Sequence, residues 1–181
     1  MHTLVKTACA IHNLSLATAF GGPLFAKLAL RPALIKEVKD EKERGRIMAC
    51  AWMKYAKINV PAHVAFTATW LVERKAILGM RPDHRTQKLI AFKDLLIAGA
   101  LVTGLANVAV GKKLVREFPQ GIPVTDRPST DHRVEGYRRY FRVMGTANVV
   151  LVGASLAIGP AIVGGLLRSQ RKNIFARLLG K

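Results

Sequence analysis

The sequence predicts an all-α fold, an integral membrane four-helix bundle with short amphipathic surface helices. Three observations predict it. Residues 143–167 contain no Asp, Glu, Lys, Arg or His, and a helix rising about 1.5 Å per residue over that length crosses a hydrocarbon layer of about 30 Å. Three further apolar blocks precede it: 8–30, broken by His12 and Lys27; 47–72, broken by Lys54, Lys57 and His63; and 89–111, broken by Lys93 and Asp94. Third, the 29 Lys and Arg residues gather mostly between these blocks, whereas a soluble bundle needs polar residues on every third or fourth position of each helix. The chain therefore reads as a single four-span domain over residues 1–181, ending in a basic amphipathic tail at 168–181.

Each element has a local reason. Lys6 is the only Lys or Arg before the first apolar block, which runs far beyond a signal-peptide core, so that block is expected to be retained, and an Arg-rich mitochondrial leader is missing. Between the first two spans, Lys36 and Asp40, Lys39 and Glu43, and Asp40 and Arg44 stand four apart, the spacing of a solvated helix, with Gly45 as a turn. Arg81-Pro82-Asp83 marks the next turn, with Asp83 as N-cap of the third span. The connection 112–142 holds three prolines in FPQGIPVTDRPSTDH, which predicts an ordered extended loop, followed by VEGYRRYFR as a short amphipathic helix at the headgroups. The tail RSQRKNIFARLLGK sets Ile174, Phe175, Leu178 and Leu179 against Arg171, Lys172, Arg177 and Lys181, the pattern of a helix lying on a surface.

Inside the spans, Pro23, Pro61 and Pro160 predict kinks. Gly153, Ala157, Ala161 and Gly165 form a ladder of small residues for close helix packing. Trp52, Tyr55, Tyr140 and Phe141 at one face, and Trp70 and Phe92 at the other, read as interface anchors, and Lys27, Lys54 and Lys57 as snorkelling side chains. Cys9 and Cys50 read as small buried residues rather than a disulfide.

A net charge of +18 would suit a nucleic-acid binder if its cations were clustered. Because they lie in short connections beside apolar blocks, nucleic acid is excluded, and the expected partners are other membrane protein subunits and anionic lipids. The two inter-span connections on the side opposite the termini carry somewhat more Lys and Arg, which favours that side as cytoplasmic or matrix-facing, but both faces are basic.

The candidate site comes from depth. Counted from the terminal side of each helix, His12 lies about 6 Å in, Asp94 about 8 Å and His63 about 13 Å, with Asn13 beside His12. Asp94 is the sole acid within any span, and ionisable groups at membrane depth turn towards a partner or cavity. Lys93, about 100° away on the helix, is expected to snorkel outwards. His12, Asn13, His63 and Asp94 are thus candidate cofactor-binding residues for a quinone-type headgroup or haem b, although the histidines differ by about 7 Å in depth where a bis-histidine haem needs equal depth. The alternative is a hydrogen-bonded cross-link between helices with no cofactor. No residues are assigned as catalytic, and Asp126, Asp131 and His132 are not assigned as metal ligands.

The stretches HNLSLATAFGGPLFAKLALRPAL, ERGRIMACAWMKYAKINVPAH and FKDLLIAGALVTGLANVAVG resemble small four-helix membrane proteins of bacteria, similar to the anthrone-oxygenase-like family. The resemblance lies in hydropathy and spacing and carries no site residue across. It implies a four-helix integral membrane fold; the expected location is a bacterial inner membrane, the mitochondrial inner membrane being the alternative. The expected role is an accessory or scaffold subunit of a larger membrane assembly; the alternative is a small membrane redox protein.

Overall fold

The first helical rod does not end where its prolines would be expected to break it. The computed structural model describes residues 2–124 and 131–178. In it α1 (His2–Phe25) passes through a π-helical turn (Ala26–Leu30) directly into α2 (Arg31–Glu37). In an ideal α-helix the Pro32 ring would collide with the carbonyl four residues back; the widened turn, closed by the Arg31 N–H to Ala26 O, meets that demand without stopping the helix.

The helix does stop at Val38, which is extended, and α3 (Glu41–Gly79) begins at once. Asp40 caps it, its carboxylate accepting from the Lys42 N–H at 3.0 Å, and Glu41 and Glu43 occupy the electropositive first turn. This replaces the continuous solvated helix expected across residues 36–44: capping has taken Asp40, and the ion pairs formed are Lys36–Glu37 and Glu43–Arg46. Gly45 is not a turn. It is buried within α3 because the backbone at 120–122 rests on it, with Ile122 O 2.8 Å from where a Cβ would stand. On the other side of that contact Gly121 has φ +74°, a conformation that favours glycine.

Asp83 caps α4 (His84–Glu117) through the Thr86 N–H at 2.9 Å, as expected of the Arg-Pro-Asp turn. The final helix, α5, runs unbroken over His132–Leu178. VEGYRRYFR is therefore the opening of α5 rather than a separate surface helix, and the described part of the tail continues the same rod, since nothing between Arg142 and Val143 or after Leu167 interrupts its hydrogen bonds.

The rods form a closed ring in which α1 packs on α3, α3 on α4, α4 on α5 and α5 back on α1. Neighbours are antiparallel: α4 ends beside the start of α5, where Glu117 meets Arg133 at 2.6 Å, and begins beside its far part, where Thr86 abuts Gly165. Buried positions recur at alternating steps of four and three. The row is Asn59, His63, Phe66, Trp70 and Glu73 on α3, and Thr86, Ile90, Lys93, Ile97, Ala100 and Gly104 on α4, with Ala62 and Leu96 buried beside it. That 3.5-residue repeat is the signature of left-handed bundle packing. On α5 the inward row is Asn148, Val152, Ser155 and Ile162. The four-residue ladder drifts off this row by about 40° per step: Gly153 touches Phe20 and Gly165 touches Thr86, but Ala157 and Ala161 are exposed.

The outside of the ring is apolar. Leu14 and Leu28 on the first rod, Ile58 and Leu71 on α3, Leu95 and Val102 on α4, and Val150 and Leu167 on α5 are each at least 60 % exposed. Two of the helices, α4 and α5, are long and apolar enough to cross a membrane. Cys9 and Cys50, expected inside, both lie on this outer surface as free thiols, and Trp70, expected as an interface anchor, is a core residue at 2 % exposure.

Candidate functional site

The polar residues that interrupt the apolar blocks are mostly indoors. His12, Asn59, His63, Glu73, Thr86, Lys93, Asn148 and Ser155 are all buried. From Tyr55 to Glu73 they follow the inner row of α3, so the polar groups extend over about 27 Å of helix rise.

At one end, the Tyr55 hydroxyl donates to Thr18 O at 2.8 Å and lies 3.1 Å from Asn59 Oδ1. His63 Nδ1 donates to Asn59 O at 2.8 Å, which leaves Nε2 as the acceptor nitrogen, and Asn148 Nδ2 approaches it at 3.4 Å. The same amide donates to Ala100 O at 2.8 Å and to Thr103 Oγ1 at 2.9 Å, tying α5 to α4 and α3 at one point. Gly104 makes this possible: a Cβ there would fall on the His63 imidazole.

Phe66 joins the two halves of the row. Its ring packs on His63 with centroids 5.0 Å apart, and its carbonyl accepts from His12 Nδ1 at 2.8 Å. The two histidines are therefore linked through one α3 residue and not to each other or to Asp94. His12 Nε2 is buried with no hydrogen-bond partner among the described residues.

Beyond Phe66, the indole of Trp70 organises the other end. The His12 ring lies 5.8 Å from it and the Lys93 ammonium sits 4.1 Å from its centroid, a cation–π contact, while its Nε1–H donates to Asp94 Oδ1 at 2.7 Å. Asp94 also accepts from Arg74 Nε at 2.8 Å, and both these side chains are partly open to the exterior. Lys93, by contrast, is 3 % exposed, and Glu73 is 8 % exposed and close enough to feel its charge. Glu73 Oε1 has no partner among the described residues.

The structure thus keeps His12 and His63 in the interior, places Asp94 at its edge, and turns Asn13 out of it: Asn13 is exposed and its amide contacts Cys9 Sγ at 3.6 Å. Asp94 finds partners in Trp70 and Arg74, as expected of an acid inside a span, but Lys93, expected to snorkel outwards, is buried. Sequence reasoning missed Glu73 and Lys93, and the signal that finds them is the repeat itself. Steps of four and three from His63 reach Glu73, and the same steps back from Gly104 reach Lys93 and pass over Asp94.

Outside the apolar blocks, Glu117 bonds Arg133, and that hydrogen bond holds the Glu117 carboxyl below its usual range. Asp131 caps the start of α5 through the Arg133 N–H at 2.8 Å, and Asp126 lies outside the described residues. No group of three or more potential metal ligands occurs among the described residues. Comparisons with protein-family models, with curated proteins and with solved structures return no match.

Proposed function

We propose that this chain is an integral membrane four-helix bundle of a bacterial inner membrane, acting as an accessory or scaffold subunit that engages other membrane subunits and anionic lipid through its basic ends. The observation that carries the membrane placement is the inversion of polarity: Leu, Val, Ile and Phe face outwards on all four rods while His, Asn, Lys and Glu face inwards. In water that arrangement would expose apolar surface while dehydrating the buried polar groups; in lipid the apolar exterior meets hydrocarbon and the polar groups are shielded from it. It extends the membrane placement to α1 and α3, whose blocks 8–30 and 47–72 carry more polar residues than the other two.

The binding role follows from charge. There are 29 Lys and Arg residues to 11 Asp and Glu. Glu37, Glu43, Asp94, Glu117 and Glu135 are already engaged by cations of the same chain. The surplus cations at the ends of the rods require external anions, which acidic partner subunits and lipid phosphates supply. Extraction of native membranes in mild detergent tests this: the chain is expected to migrate with larger partners in a salt-sensitive manner. Migration as a small particle at every ionic strength refutes it.

A second reading is favoured by His12 Nε2 and Glu73 Oε1, buried acceptors without partners among the described residues, on two side chains that feel the Lys93 charge. Such a set can accept from and donate to a quinone-type headgroup. His63 Nε2 is packed on Gly104 and Asn148, so no axial haem ligand is proposed there. Extraction of the purified protein and an ultraviolet spectrum decide this reading: a stoichiometric quinone supports it, and its absence removes it.

A further inference from the structure

At the Thr86 end of the inner row of α4, a cavity of ≈ 640 Å³ opens between the first turn of α4 and the later part of α5. Arg85, Arg168 and Arg171 stand on its rim with Ser169, and Leu89 and Ala161 form its wall. The volume lies in the range of sites that hold small ligands, about 300–1,000 Å³. The rim residues fall just outside the apolar blocks 89–111 and 143–167 and the wall residues fall just within them. Cationic groups therefore sit at headgroup depth directly above an apolar surface.

The electrostatics are one-sided. The lining holds three arginines and one carboxylate, Asp83, which is engaged by the Thr86 N–H as the cap of α4. Arg168 donates its Nε–H to Gly164 O at 3.2 Å, which fixes the guanidinium to the helix and leaves its two terminal nitrogens for an oxyanion. Arginine forks match the paired oxygens of a phosphodiester, and clusters of them between membrane helices favour anionic lipid headgroups. A free anion would use only the rim; Leu89 and Ala161 contribute only if the ligand continues as hydrocarbon.

We infer that this cavity binds an anionic phospholipid, with its phosphodiester held by Arg85, Arg168 and Arg171 and its first acyl carbons laid against Leu89 and Ala161. The inference rests on the membrane placement proposed above and adds to it one defined lipid site.

The test uses the full chain, purified in mild detergent and stripped of lipid, then offered phosphatidylglycerol, phosphatidylcholine or inorganic phosphate and examined by native mass spectrometry. A phosphatidylglycerol adduct is expected that phosphatidylcholine does not form. Binding should weaken at least about tenfold in the Arg85→Gln/Arg168→Gln/Arg171→Gln variant, and by less than about twofold in Lys36→Gln/Lys39→Gln/Lys42→Gln, which removes the same charge at the opposite end. Arg171→Gln alone, an exposed single change, should lose about fivefold and guards against a triple variant that fails to fold. Equal losses in the two triple variants, or none in either, overturn the site, and inorganic phosphate displacing phosphatidylglycerol at equal concentration overturns the lipid assignment in favour of a free anion. Wild-type chain that leaves membranes in alkaline carbonate overturns the membrane placement and the site together; retention in carbonate without arginine-dependent binding overturns the site alone.

Discussion

Lys93 and Glu73 offer the sharpest test of the buried polar row. Lys93 is 3 % exposed with its ammonium 4.1 Å from the Trp70 centroid, and Glu73 is 8 % exposed with one oxygen unpartnered. Lys93→Met removes a desolvated cation–π contact worth about 2 kcal/mol and takes away a charge that Glu73 feels without a direct ion pair, which adds about 1 kcal/mol. Net destabilisation of about 3 kcal/mol is expected. Glu73→Gln leaves Lys93 its indole face and should cost less, about 2 kcal/mol. The double variant still lacks the cation–π contact and should lie about 3 kcal/mol below wild type, against about 5 kcal/mol for the summed single losses, a coupling of about 2 kcal/mol. Denaturant titration in mild-detergent micelles, read by Trp70 fluorescence in a Trp52→Phe background, measures all four corners of the cycle. Additive losses, or single variants within about 0.5 kcal/mol of wild type, would show that the two charges do not support each other.

Three further outcomes follow from named contacts. Gly104→Ala places a methyl on the His63 imidazole and should destabilise by about 1–3 kcal/mol, whereas Gly111→Ala on the same helix, with nothing within 4 Å of the added carbon, should be neutral or slightly stabilising; thermal unfolding of the pair reads the difference, and equal melting temperatures refute the His63 packing. Asn148→Leu loses donors to Ala100 O and Thr103 Oγ1 and should cost about 1–2 kcal/mol, the scale of interhelical hydrogen bonds in lipid; a more stable variant would contradict that role. Glu117 titrates below its usual value near 4.5 because Arg133 bonds its carboxylate. The pairing is therefore complete above the unfolded value and is lost as pH falls through the lower folded one. Carboxyl NMR titration of wild type and Arg133→Gln checks this, with the Glu117 midpoint expected to rise in the variant and an unchanged midpoint counting against the contact.

The rods were legible because long apolar blocks and the Arg81-Pro82-Asp83 turn are local signals, and Asp83 does cap α4. The ends of the rods were less so. Residues 36–44 carry helical charge spacing, yet Asp40 serves as a cap, because a carboxylate satisfies unpaired N–H groups better than it serves exposed ion pairs. The site was half legible: His12 and His63 are interior, as depth suggested. Chemistry alone misranks Lys93 and Asp94, because a long cationic stem is assumed to snorkel and a short acid to be trapped. Position decides instead, since Lys93 falls on the inner repeat of α4 and Asp94, one step away, reaches Trp70 and Arg74 from the edge. The small-residue ladder misled for a related reason, its step of four outrunning the 3.5-residue period of the packed face.

Only residues 80–83 separate α3 from α4, so Glu73 and Lys93 sit on the two arms of a tight hairpin. If the chain enters a membrane as proposed, each arm alone would carry a bare charge into hydrocarbon, whereas together they bring opposite signs. On that placement the hairpin would insert as one unit, and α5, with no charge between residues 143 and 167, would follow and close the ring. A ribosome stalled after α3 but before Lys93 would be expected to hold a nascent chain that slips back out.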